Sequence, residues 1–231
     1  MKNVIAGASL SPGLASVECS ASAGYTTVGI VDYGMGNHAS VTHSLRDLGY
    51  RVRISKDKAA LDAVDVLILP GVGAFPSAMA ALHQHGLVTY LQEQSRRQRP
   101  IIGICLGMQL LASASYEHEY TVGLDLVPGE VVPFPAKSWH IGWNTLECIQ
   151  KDPLLQLSDG QAFYFNHSFK YEGPVEYQAC VARHPDAFAA VIRRGSVIGL
   201  QFHPEKSQIA GKALLKNMIA GLTSEHVKNP C

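Results

Sequence analysis

Apolar and polar positions follow two rhythms along the chain. From Thr27 onward, short apolar runs alternate with stretches of helical spacing. TVGIVDY (27–33) is an apolar run that ends at Gly34. Residues 37–48 carry apolar positions at Val41, Leu45 and Leu48, a helical spacing that Gly49 stops. RVRIS (51–55) alternates as a strand does. DVLILPG (65–71) and PIIGIC (100–105) are continuous apolar runs, the pattern of parallel strands buried on both faces. Residues 76–98 and LGMQLLASA (106–114) read as helices. This βαβα order predicts an α/β fold, a doubly wound, mixed but mostly parallel sheet flanked by helices, of the flavodoxin-like kind. After about Gly123 the rhythm becomes β-rich, through GEVVPF, WNTLEC, AFYFNHSF, YQACVA, AAVIRR and SVIGLQF, and residues 207–221 close as a helix. No linker or repeat divides the chain, which predicts one domain over 27–223, after an extension (1–26) and before a short tail (224–231).

Composition narrows the partners. Apolar residues make up 47% of the 231 and charged residues 16%, enough for a sizeable core. Nineteen basic residues balance nineteen acidic ones, so no net field attracts a nucleic-acid backbone or an anionic membrane. No apolar run approaches the roughly 18 residues of a membrane span. Residues 1–26, rich in Ala, Ser and Gly, make a poor signal peptide because Pro12 and Gly13 break the apolar stretch. The five cysteines (Cys19, Cys105, Cys148, Cys180 and Cys231) are widely spaced and form no C-x-x-C pair. That argues against a disulfide framework or a zinc site, and for a reducing, cytoplasmic setting without metal or other cofactor.

Two glycine motifs compete for the chemistry. Gly34-Met35-Gly36-Asn37-His38-Ala39 fits the loose dinucleotide-binding pattern, with Asp57 about 20 residues on. Gly103-Ile104-Cys105-Leu106-Gly107 is the more specific signal, a strand-to-helix turn with the nucleophile-elbow pattern and Cys in place of Ser. The helix beginning near Leu106 favours negative charge and hence the thiolate, and the Leu106 amide points toward a developing oxyanion. A thiolate nucleophile needs a proton shuttle. His203 ends the apolar run VIGLQF, and Glu205, two residues on, is close enough to hold its tautomer. His38, His43, His83, His85, His118, His184 and His226 sit among surface-like residues.

GICLGMQLL, PGVGAF, HIGWN, HSF and QFHPEKS, in this order and spacing, resemble the class I glutamine amidotransferases. Among those, the motifs resemble the glutaminase subunits of imidazole glycerol phosphate synthase, over about residues 28–221. The resemblance implies a Cys105–His203–Glu205 triad that hydrolyses glutamine and hands ammonia to a (β/α)8 cyclase subunit, in histidine biosynthesis. It implies an oxyanion strand at Pro70-Gly71-Val72-Gly73, with the Val72 amide joining that of Leu106. Gly71 and Gly73 would ease a peptide flip that gates hydrolysis until the partner is engaged. Gln109, Glu117 (with Glu119 as rival), Ser168 and Phe169 would bind glutamine, and Asn37, Trp143, Tyr164 and Lys206 would border the partner. Four positions depart from the pattern: Ser138-Trp139 stands where Val-Pro is usual, Asn166 where Val is common, and Phe169 where Tyr is more usual. Relatives of this subunit also serve surface-sugar amidination, so the acceptor has two candidates.

Overall fold

The computed structural model describes residues 25–135 and 138–228. An eight-stranded sheet organises the chain. Its strands are β1 (Thr27–Val31), β2 (Arg51–Ser55), β3 (Val66–Gly71), β4 (Ile101–Cys105), β9 (Glu147–Cys148), β12 (Gln178–Arg183), β13 (Ala187–Arg194) and β14 (Val197–Leu200). The order is β2-β1-β3-β4-β14-β13-β12-β9, parallel from β2 to β14 and antiparallel beyond. The apolar runs explain the buried half. In β3, Val66 and Ile68 join the core on one face while Leu67 and Leu69 join the core on the other. Both faces are therefore dry, as parallel strands under crossover helices require.

Among the described residues, six α-helices cover the two faces. The first core takes in side chains of α1 (His38–Asp47) and α6 (Gln208–Lys228). The second takes in those of α2 (Lys58–Asp62), α3 (Phe75–Gln84), α4 (Leu87–Arg96) and α5 (Leu106–Leu110). Two smaller sheets complete the fold. One joins β8 (His140–Thr145) to β10 (Ala162–His167); the other runs β11 (Phe169–Glu172), β7 (Glu130–Pro133), β5 (Ala114–Ser115), β6 (Thr121–Val122).

The helix boundaries differ from the periodicity in three places. The stretch 76–98 is two helices, α3 and α4, because Gly86 turns into the left-handed region at φ +62°. The helix read over 106–114 stops at Leu110, since Ala114 and Ser115 are drawn into pairing with β6 and β7. The last helix continues past residue 221 to Lys228. Asp57, the acid of the dinucleotide pattern, acts locally instead. Its carboxylate caps α2 by accepting the Ala60 amide at 3.0 Å. Residues 1–24 of the N-terminal extension lie outside the described residues.

Candidate active site

Three neighbouring parallel strands, β3, β4 and β14, end side by side, and ligands of open α/β sheets bind at such carboxyl ends. Gly71 pairs with Cys105, and Leu200 with Ile104. The oxyanion-strand sequence, the cysteine and the segment leading to His203 thus emerge together. Cys105 sits at φ +55°, ψ −113°, a backbone conformation costly for a residue with a side chain. The elbow is tight enough to exclude two further side chains. A Cβ on Gly107 would lie 1.8 Å from the Leu69 carbonyl oxygen, and one on Gly103 would lie 2.6 Å from that of Gly107. Gly71 is confined in the same way, since a Cβ there would come within 2.9 Å of Leu106 Cβ and of the Tyr33 hydroxyl. Of the two glycines expected to ease a peptide flip, only Gly73 has positive φ, at +99°. Gly71 serves close approach to the elbow instead.

His203 is buried, and its Nδ1 lies 2.9 Å from Glu205 Oε1. Burial pulls the imidazole pKa down, but the hydrogen bonds to Cys105 and Glu205, together with their charges, outweigh it and raise it to about 9. The His203 amide donates to the Tyr164 carbonyl at 2.9 Å, and the Cys105 thiol faces the Asn166 carbonyl at 3.8 Å. One strand, β10, therefore touches both Cys105 and His203.

A cleft of about 370 Å³ opens over Cys105. Val72, Gly73, Leu106, Gln109, Glu117, Ser168, Phe169, His203 and Lys206 all line it. Gly71 and Glu205 stand behind that lining. The Gln109 side-chain amide donates to the Phe169 carbonyl (3.2 Å) and to Gln201 Oε1 (3.1 Å), which holds the side chain with its own oxygen left to accept. Glu117 is buried in the cleft wall, where one oxygen accepts the Phe75 amide at 2.7 Å. Glu119 is exposed and does not line the cleft. Trp139 and Asn166, two of the departures, also line it.

Three of the four residues expected at a partner surface meet one another. Trp143, half exposed, packs edge-on against Tyr164 at 6.1 Å, and the Lys206 ammonium lies 5.9 Å from the Tyr164 ring. Asn37 is the N-cap of α1, the helix that packs against the 204–206 turn.

The glutamine amidotransferase class-I family model matches residues 29–221. The chain belongs to the class I glutamine amidotransferases. Among its relatives are two proteins named imidazole glycerol phosphate synthase subunit HisH. The one from Carboxydothermus hydrogenoformans is 43% identical over 192 residues, covering 82% of this chain and 96% of the relative. The one from Moorella thermoacetica is 45% identical over 195 residues, covering 82% and 92%. Solved structures share the fold at low identity. PurLQS from Thermotoga maritima superposes with TM-score 0.70 at 20% identity, covering 86% of this chain and 99% of that one. A glutamine amidotransferase, also from Thermotoga maritima, gives 0.63 at 15%, covering 86% and 98%.

Two features of this amidotransferase site escape sequence reading. Tyr33 is buried, and its hydroxyl donates to the Pro70 carbonyl at 2.8 Å, pinning the base of the PGVG segment. Burial, then the charge of Cys105, push the phenol's pKa upward, so it stays a donor. The second is a histidine chain. The Phe169 carbonyl can only accept, so the proton of neutral His167 is on Nδ1, 2.7 Å away. His167 Nε2 must then accept from His140 Nδ1 at 3.0 Å, and His140 Nε2 from the Asn144 amide at 3.1 Å. Burial, joined by the charge of His184, lowers the His140 pKa to about 4; burial and the charges of His140, His184 and His203 bring that of His167 to about 3 despite the Phe169 hydrogen bond. Both rings are neutral near pH 7. His184, read as surface-like, is stacked on His140 at 4.5 Å.

Proposed function

We propose that this chain hydrolyses glutamine to glutamate and ammonia through a γ-glutamyl thioester on Cys105. It then passes the ammonia to a separate (β/α)8 cyclase subunit, which makes imidazole glycerol phosphate in histidine biosynthesis. The observation that carries this reading is the convergence of Cys105, on a strained elbow, with the buried His203–Glu205 pair on one cleft. The Cys105 sulfur attacks the side-chain amide carbon of glutamine. The Val72 and Leu106 amides receive the oxyanion. Imidazolium His203 protonates the leaving nitrogen, and ammonia departs. His203, now neutral, takes a proton from water, which attacks the thioester and frees glutamate. Glu205 holds the His203 proton on Nδ1 and balances the imidazolium charge. Gln109 and Glu117 hold the amino-acid end of the substrate, with Ser168 and Phe169 along its flank.

Trp143, Tyr164 and Lys206 support docking beside this mouth, because an exposed aromatic pair with one cation makes a strong interface anchor. A partner bearing an acidic residue suits Lys206. The partner also gates hydrolysis: losing one aligned oxyanion amide costs about 100–1000-fold, so a turned peptide after Gly71 would silence the unpartnered chain. A second reading keeps the same glutaminase but gives its ammonia to a surface sugar; Trp139 and Asn166, which line the cleft, are positions that differ from the usual pattern. One experiment tests the glutaminase and its gate. Glutamine turnover is measured for the chain alone, with its cyclase, and with cyclase plus acceptor substrate. Turnover that rises stepwise supports the proposal; equal turnover in all three states overturns the gate, and absent turnover in all three overturns the glutaminase.

A further inference from the structure

Outside the active site, the fold brings two cysteines face to face. Cys148 on β9 is the register partner of Cys180 on β12, at the far edge of the main sheet. The Ile149 amide donates to the Ala179 carbonyl at 3.0 Å, and the Cys148 amide donates elsewhere, to Asp159 Oδ1 at 2.9 Å. That pattern makes Cys148 and Cys180 a non-hydrogen-bonded pair of an antiparallel ladder. In such pairs the Cα atoms stand about 4.5 Å apart and the side chains are closest. Disulfides span Cα separations of roughly 4.4–6.8 Å, so the backbone already has the spacing a bridge needs. The two sulfurs are 2.7 Å apart, both reduced.

We propose that Cys148 and Cys180 form an oxidation site, closing an intrachain disulfide when the chain meets a low-molecular-weight disulfide. The order of events follows from access. Cys180 is fully buried, whereas Cys148 is partly exposed. The hydrogen bond from Cys180 lowers the Cys148 pKa, and the same bond, with burial, raises that of Cys180. Cys148 is therefore the attacking thiolate. It displaces one thiolate from the reagent and becomes a mixed disulfide. Cys180 then gives its proton to the thiolate released first, attacks the Cys148 sulfur and expels the second thiolate, which takes up the proton that Cys148 had lost. Two protein thiols are oxidised to one disulfide, and one reagent disulfide is reduced to two thiols. Asp159 adds negative charge beside the pair, while the charge of Asp152 is matched by Arg193 at 2.6 Å; the result disfavours an anionic oxidant and favours a neutral one. Only Leu146 separates β9 from β8, so the bridge would fasten the base of the β8–β10 pair, with its Trp143 and Tyr164, to the main sheet.

The test uses the full-length chain and bis(2-hydroxyethyl) disulfide. After incubation, free thiols are alkylated and the chain is digested without reduction for peptide mass mapping, which separates this pair from Cys19, Cys105 and Cys231. The expected product is a peptide pair joined through Cys148 and Cys180, two hydrogens lighter than the reduced pair. It appears together with a thermal midpoint that rises on oxidation and falls back with dithiothreitol. In Cys148→Ser, Cys180 should stay unmodified until the chain unfolds. Cys148 found only as the mixed disulfide, or both thiols recovered alkylated under conditions that modify Cys105, would overturn the proposal.

Discussion

Glu205→Gln tests the triad with the least disturbance of shape. Glu205 Oε1 lies 2.9 Å from His203 Nδ1, and the two side chains are only 1% and 4% exposed. Its second oxygen has no hydrogen-bond partner among the described residues, so the imidazole alone balances this buried carboxylate. Glutamine keeps the volume and an acceptor oxygen but loses the charge. The imidazolium that protonates the leaving ammonia then loses a charged hydrogen bond, worth about 1.5–3 kcal/mol. That corresponds to roughly a 10- to 150-fold fall in kcat. The new amide NH2 must occupy the unpartnered position or turn toward Nδ1. The second choice forces the wrong tautomer, which costs about 10⁴-fold in serine triads. The expected result with the partner present is therefore a kcat at least about tenfold lower, with little change in KM. The His203 titration, followed by NMR, should fall below its value of about 9. The sign for stability follows. A histidine raised above its unfolded pKa of about 6.5 stabilises the fold fully below that pH and loses the contribution as pH rises through 9. The parent's melting temperature should drop over that window more than the variant's. A kcat within threefold of the parent and an unmoved imidazole titration would refute the assignment.

Four further outcomes follow. Tyr33→Phe, which frees the Pro70 carbonyl, should lower kcat by about three- to tenfold, as loss of a neutral hydrogen bond does; iodoacetamide should alkylate Cys105 at the parent's rate, and an unchanged kcat would show that the hydroxyl has no part in aiming the PGVG segment. His167→Leu should raise the KM for glutamine more than it lowers kcat, because the Phe169 carbonyl shared with Gln109 loses its second donor. His167→Asn, which keeps a donor near Nδ1, should recover much of the loss, and equal KM values in both variants would discount the role. Gly107→Ala should lower the melting temperature sharply, since its Cβ would lie 1.8 Å from a backbone oxygen that cannot move aside; a parent-like melt would mean the elbow can relax. Lys206→Glu should weaken cyclase binding through charge reversal, measured by titration calorimetry, and unchanged affinity would move the interface elsewhere.

The sheet and the elbow were legible because they rest on local chemistry. Apolar residues at every position of 66–69 and at 101, 102 and 104 require dry faces on both sides, and glycine at 103 and 107 leaves room for a helix folded back on its own strand. The helices were less legible where a backbone angle decided the outcome: Gly86 reads like any tolerated helix glycine until its φ of +62° splits α3 from α4. The histidine chain could not be read at all. His140 and His167 are 27 residues apart and become neighbours only through the β8–β10 register, which sets them opposite each other. Tyr33 reads as the last apolar residue of a strand, and nothing nearby in sequence says that its hydroxyl reaches Pro70. The elbow and the His-Pro-Glu turn are local, while the groups that hold them in place come from pairing between distant segments.

That division bears on how a partner would reach the chemistry. Neighbouring residues of β10 have different roles. Tyr164 meets Trp143 and Lys206 on the exposed side, and its own carbonyl accepts the His203 amide at 2.9 Å. Its amide donates to Ser207 Oγ at 3.0 Å, and that hydroxyl donates in turn to the His203 carbonyl at 2.6 Å. Two residues on, the Asn166 carbonyl faces the Cys105 thiol. A displacement of Tyr164 by a docking subunit would thus reach His203 through hydrogen bonds on both of its sides, and Cys105 through the next turn of the same pleat. No strand ladder joins the β8–β10 pair to the main sheet, so it can shift against the elbow without breaking the ladder that holds β3, β4 and β14. The elbow itself has no such freedom, because Gly71, Gly103 and Gly107 are packed to contact distance. A gate acting on this site would therefore move the base and the Val72–Gly73 end of the PGVG segment relative to a fixed nucleophile. In that case Cys105 alkylation should respond far less to the partner than glutamine turnover does, and equal stimulation of the two would refute a fixed nucleophile.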